Sequence, residues 1–143
     1  MKLALASDHA GFEMKEALKK YLIENGFEIT DFGTGSSASA DYPDYAHPLA
    51  NAIEKGDFEL GISVCGSGNG INMTLNKHKG IRSALCWQSE IAKLAREHNN
   101  ANVCALPGRF VSLDEAKGIV DAFLKAEFEG GRHQKRIDKM INF

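Results

Sequence analysis

The sequence predicts an α/β fold: a doubly wound, five-stranded parallel sheet with helices on both faces and a C-terminal helical tail. Short apolar runs alternate with amphipathic segments along the whole chain. Several of those runs are continuously apolar, as strands covered on both faces must be. No repeat or low-complexity tract interrupts the 143 residues, and the nearest approach to a linker is the Gly-, Ser- and Ala-rich stretch Gly33–Ala40. One domain over residues 1–143 is therefore expected, able to bury roughly 70% of its extended-chain surface.

In chain order, Leu3–Ala6, Phe27–Phe32, Leu60–Val64, Ser83–Cys86 and Val103–Leu106 read as strands. Met14, Ala17, Leu18, Tyr21 and Leu22 share one helical face, and Gly26 supplies the stop. Ala46, Leu49, Ala50 and Ile53 repeat the pattern, closed by Gly56, and Ile91, Leu94 and Ala95 mark another helix. Ser112-x-x-Glu115 is a capping-box signal ahead of Ala116, Ile119, Val120, Phe123 and Leu124. Gly130-Gly131 reads as a bend before a short tail helix that sets Arg132 and Arg136 one turn apart.

Composition removes several function classes. A formal charge of −2 gives no basic field for nucleic acid or acidic membranes. No apolar run reaches the roughly 20 residues that cross a bilayer, and Met1-Lys2 leads straight into a strand rather than a signal peptide. Cys65, Cys86 and Cys104 lack Cys-x-x-Cys spacing, which argues against a disulfide framework, a zinc ribbon or a redox pair. A reducing, cytoplasmic setting is expected. Metal binding is not, because there is no His-x-x-x-His and no carboxylate cluster at ligand spacing.

In open parallel sheets ligands bind beyond the carboxyl ends of the strands. Ser7-Asp8-His9, Cys65-Gly66-Ser67-Gly68-Asn69-Gly70 and Pro107-Gly108-Arg109 each follow a strand run and should meet at that edge. The Cys65 loop lacks the Gly-Lys-Ser/Thr of a Walker loop, the arginine of a Cys-x5-Arg phosphatase loop and the Gly-x-Gly-x-x-Gly of a dinucleotide site. What survives is a thiol, base or nucleophile, beside backbone N–H groups that can cradle an anion. A helix starting at about Ile71 would favour anions, a thiolate among them. Asp8 serves equally as a helix cap or as a site acid. His98 near a helix C-terminus answers to the dipole or to chemistry. Arg132 and Arg136 form either a solvated face or a phosphate grip. His47 and His78 read as surface or packing residues.

Taken together these segments resemble the ribose-5-phosphate isomerase type B family, which includes the galactose-6-phosphate isomerase subunits. The resemblance rests on Ser7–Phe12, Asp41-Tyr42-Pro43, Cys65–Gly70, Asn76-Lys77, Gly80-Ile81-Arg82, His98–Val103 and Glu129–His133, and it covers essentially the whole chain. It implies a Rossmann-like fold and an aldose–ketose isomerase without metal or cofactor. The implied reaction interconverts ribose 5-phosphate and ribulose 5-phosphate. It also implies a homodimer, alone or as a dimer of dimers, with sites shared between subunits. By position, the resemblance makes Cys65 the base between C1 and C2, and His98 the ring-opening group with Asp8 assisting. Asp8, His9, Gly66, Ser67, Gly68, Asn69, Gly70 and Asn99 would contact the sugar; Arg132 and Arg136, with His9 as a further partner, would hold the phosphate. Tyr42 and Arg109 fall at the edge of the family site. A branch that replaces the thiol with a Glu after the glycine loop is not this one, since Ile71 stands there. A six-carbon sugar phosphate is the rival substrate, and a non-catalytic sugar-phosphate sensor the rival class.

Overall fold

The computed structural model describes residues 1–143. The chain runs β1 (Lys2–Ser7), α1 (Phe12–Glu24), β2 (Glu28–Asp31), α2 (Tyr42–Glu54), β3 (Leu60–Cys65), α3 (Asn69–Leu75), β4 (Ser83–Leu85), α4 (Ser89–Asn99), β5 (Val103–Pro107), α5 (Leu113–Lys125) and α6 (Arg132–Asp138). The strands form one sheet in the order β2-β1-β3-β5-β4, and every pairing is parallel. Helices cover both faces, so the predicted class is the observed one. No helix is long and apolar enough to cross a membrane.

The two faces of the sheet differ in side-chain size, and the period of two along each strand causes it. Leu3 and Leu5, Ile62 and Val64, and Cys104 and Leu106 point to the face covered by α1, α4 and α5, where they pack with Leu18, Ala92, Ile119 and Phe123. Each fully buried Leu, Ile or Phe there contributes about 1.5–3 kcal/mol. Ala4, Ala6, Cys65, Val103 and Ala105 point the other way, toward α2 and α3. Small residues let α2 lie close: a Cβ on Gly61 would stand 3.1 Å from Ile53 Cδ1 and 3.2 Å from Leu49 Cδ2. Cys65 therefore ends β3 with its sulfur on the α2–α3 side.

Local signals explain most boundaries. Pro43 suits the first turn of α2, where its missing N–H has no partner to lose. The Ser112 capping box forms in full, with Ser112 Oγ accepting from the Glu115 N–H at 3.1 Å and Glu115 Oε1 accepting from the Ser112 N–H at 2.9 Å. Backbone and hydroxyl of Ser112 hold the Glu115 carboxyl below its usual range.

Three features depart from the sequence reading. Helix α3 begins at Asn69 rather than about Ile71, because Gly68 at φ +77 turns the chain before any side-chain cap is needed. His47 and His78 are more than packing: His47 Nδ1 lies 2.7 Å from His78 Nε2, and His78 Nδ1 lies 2.9 Å from Glu54 Oε1. The Glu54 carboxyl also accepts the Gly80 N–H, which with His78 holds it below its usual range. Lys15, within an otherwise amphipathic helix, is almost fully buried and pairs with Asp31 and Glu16, tying α1 to the end of β2. Burial would raise the Asp31 carboxyl, but Lys15, the Gly33 N–H and Lys19 outweigh it and hold it low.

Candidate active site

The chain leaves β1 for β2 on one side and later returns to lay β3 on the other side of β1, so the loops after β1 and β3 diverge to opposite faces. The crevice between them is where such sheets bind ligands. Backbone hydrogen bonds stitch the three expected loops together there: Asp8 N–H to Val64 O at 3.3 Å, Gly108 N–H to Cys65 O at 2.9 Å and Arg109 N–H to Gly66 O at 3.0 Å. The gathering predicted from strand ends is observed.

Cys65 is buried, 4% exposed, at the floor of this crevice. The N–H groups of Gly66, Ser67, Gly68 and Gly70 have no acceptor within the chain, whereas that of Asn69 is taken by Ser67 Oγ at 3.2 Å. Ser67 accepts that bond and keeps its hydroxyl proton free to donate outward. Four unpartnered donors and a hydroxyl beside a thiol make a cradle for a developing oxyanion.

Close packing sets the cradle's shape. A Cβ on Gly68 would stand 2.4 Å from Leu85 Cδ1, and one on Gly70 would stand 2.5 Å from Tyr42 Cζ, so the Tyr42 ring lies against the loop. Arg109 lies along Gly66, with an Nη1 atom 3.4 Å from where a Cβ would be, and no carboxylate pairs with it. Asp8, 6% exposed, uses Oδ1 to accept the Gly11 N–H at 3.0 Å, leaving Oδ2 unengaged. Asp8 is not the cap of α1, because Gly11 is the N-cap and no side chain caps the helix; Asp8 closes the turn that leads into it. His9 Nδ1 lies 3.1 Å from the backbone of Ala40, which anchors its ring to the chain before α2.

His98, Asn99, Arg132 and Arg136 are not brought to this crevice within one chain. Helix α4 runs back from the carboxyl end of β4 to the start of β5, so His98 and Asn99 lie at the opposite edge of the sheet. Arg82, just before β4, clamps that turn through Nε to the carbonyls of Asn99 and Asn100, both at 3.1 Å. Between the two edges runs β5, five residues long, ~16 Å at about 3.3 Å per residue. Arg132 and Arg136 are exposed on α6, which packs on α4, and no carboxylate pairs with either.

Sequence reasoning missed two residues here. The His133 ring stacks on that of His98 with centroids 4.3 Å apart and planes 13° apart. Glu129 Oε1 lies 3.8 Å from His98 Nε2 and 3.4 Å from His133 Nε2. The i,i+4 spacing of Glu129 and His133 was the available signal. These donors lie within 4.8 Å of one another, yet the rings are parallel, and an ion cannot sit in both ring planes as imidazole coordination requires.

A strand-end thiol in a switch-point crevice, with a donor-rich glycine loop and a separate histidine–arginine edge, suits proton transfer on a small anionic substrate. The family model described as Ribose/Galactose Isomerase matches residues 3–140, and the chain belongs to that family. Its relatives include ribose-5-phosphate isomerase B of Escherichia coli (strain K12), 46% identical over 137 residues that cover 96% of this chain and 92% of that one. Among solved structures, a ribose 5-phosphate isomerase from Thermotoga maritima matches with a TM-score of 0.97 at 48% identity, covering 99% of this chain and 98% of that one. Ribose-5-phosphate isomerase B from Mycoplasma genitalium, solved with bound ribulose-5-phosphate, matches at a TM-score of 0.93 and 45% identity, covering 99% and 94%.

Proposed function

We propose that residues 1–143 form one isomerase domain that interconverts ribose 5-phosphate and ribulose 5-phosphate through an enediolate. The observation that carries the reading is Cys65 at the mouth of a loop whose N–H groups are unpartnered. Removing the C2 proton of an open-chain aldose leaves negative charge on the C1 and C2 oxygens, which must be stabilised where it develops. Gly66, Ser67, Gly68 and Gly70 offer donors that need no reorganisation, while Cys65 returns the proton to C1. The Asn69 N–H is engaged within the loop, so Asn69 contributes through its side chain.

The opposite-edge placement of His98 and Arg132 supports a composite site. A pentose phosphate cannot span the sheet from Cys65 to His98 of the same chain, so a second copy must supply the histidine and arginine edge. In that arrangement His98 opens the furanose with Asp8 assisting, Asn99 holds a hydroxyl, and Arg132 and Arg136 grip the phosphate, with His9 beside them. Tyr42 and Arg109 wall the crevice. The chain acts as a homodimer, in the cytoplasm, where its three free cysteines stay reduced.

Comparing kcat/KM on ribose 5-phosphate with allose and galactose 6-phosphates tests the substrate, and a preference for either hexose would overturn the pentose reading. Arg132→Ala should raise KM on ribose 5-phosphate by about 10- to 100-fold, the loss of a charge-assisted bidentate contact of ~1.5–3 kcal/mol. An unchanged KM would remove Arg132 from the phosphate grip.

A further inference from the structure

His98 is the last residue but one of α4, before Asn100 turns the chain at φ 47, and its side chain is 38% exposed. A side chain at such a helix end samples several rotamers, and catalysis by it needs one. Two contacts from the tail remove that freedom. The Glu129 N–H donates to the Glu97 carbonyl at 3.0 Å, joining the tail to the last turn of α4. Gly130 and Gly131, at φ +70 and +56, then reverse the chain, and the His133 N–H closes the bend onto the Gly130 carbonyl at 3.1 Å. The bend lays the His133 ring flat on that of His98.

His133 is only 6% exposed, and its Nε2 makes no hydrogen bond. A buried polar atom without a partner costs stability rather than adding it. Glu129 Oε1 lies 3.4 Å from His133 Nε2, and the same oxygen faces His98 Nε2 at 3.8 Å. Building on the isomerase reading above, we infer that His133 and Glu129 are positioning residues for ring opening. His133 sets the plane of the His98 ring by stacking, and Glu129 offsets the charge His98 carries while it handles a proton. In the step itself the C1–O4 bond of the furanose breaks, O4 takes a proton from His98, and the O1–H proton leaves to Asp8, giving the open aldehyde. Because Arg132 directly precedes His133, the same stack ties the phosphate grip to the ring-opening group.

The two directions of the reaction separate this role from a general structural one. Ribose 5-phosphate arrives as a closed ring. Ribulose 5-phosphate cannot form a furanose, since its C5 oxygen carries the phosphate, so exchange of its C1 proton with solvent needs no ring opening. His133→Ala should lower kcat on ribose 5-phosphate by about 10- to 100-fold while deuterium uptake into ribulose 5-phosphate stays within about twofold of the unmutated chain. His133→Phe keeps a ring to stack on and should restore most of the lost turnover. Glu129→Gln, at a half-exposed position that leaves the fold undisturbed, should show the same split with a loss of about tenfold. Parallel loss in both assays, or turnover unchanged in His133→Ala and Glu129→Gln, would overturn the inference. An unmutated chain inert toward both sugars would instead strike the isomerase reading itself, and this inference with it.

Discussion

Cys65→Ala is expected to abolish exchange of the C2 proton of ribose 5-phosphate with solvent while sugar phosphates still bind. The two halves of that expectation have different origins. A positioned base is worth about 10²–10⁴ in rate, and alanine leaves nothing at that position to take a proton. On the proposed reading Cys65 meets the C1–C2 end of the sugar and Arg132 and Arg136 the phosphate at the other end, so the binding those arginines would supply should persist. Cys65 is buried on the small-residue face beside Ile71 and Leu75, and alanine matches the residues already lining it there, so the fold should hold. Deuterium incorporation followed by NMR, with calorimetric binding of a reduced, non-isomerisable sugar phosphate, reads both quantities. Turnover near the unmutated level would show that some other group is the base.

The second large effect is a rescue. Cys65→Ala and His98→Asn chains should each be inactive alone, and mixing them after reversible dissociation should restore about a quarter of normal activity. Half of the dimers formed from an equal mixture are mixed. Within each mixed dimer, one site draws its thiol and its histidine from the intact positions, and the other lacks both. A site built within one chain would give no recovery at all, because every chain in the mixture is defective. Measuring specific activity against mixing ratio distinguishes the two cleanly, and a flat zero would refute the shared site.

The sheet and its thiol edge were legible because the signals are local. A strand end followed by Asp8, by Cys65 or by Arg109 puts each residue at the same edge whatever the strand order, and that order, with β5 between β3 and β4, needed the structure. The start of α3 was misplaced by two residues because Gly68 does the work of a cap through its backbone and carries no Ser, Thr, Asp or Asn signature. The edge on which His98 lies was readable in principle, since a residue just before a strand must stand at its amino end. The partnership of His98 with His133 was not. It links residues on different helices through a bend at Gly130-Gly131, and no periodicity connects them. The same holds for Glu54, His78 and His47, which meet only because α2 lies beside the turn after α3.

The glycines that shape the crevice carry a lesson for redesign. Gly68 and Gly70 meet Leu85 and Tyr42 at distances where even one methyl group would intrude, and Gly11 stands so close to Val64 that its missing Cβ would lie 2.5 Å from the carbonyl oxygen. A pocket wall already stripped to glycine cannot be enlarged by trimming. Any attempt to fit a longer sugar must work on the larger side chains around it, Tyr42 foremost, or, if the proposed shared site holds, on the reach of the arginine helix from a second copy. Substitution at the loop's glycines can only add bulk, which leaves Ser67 and Asn69 as its side chains open to trimming.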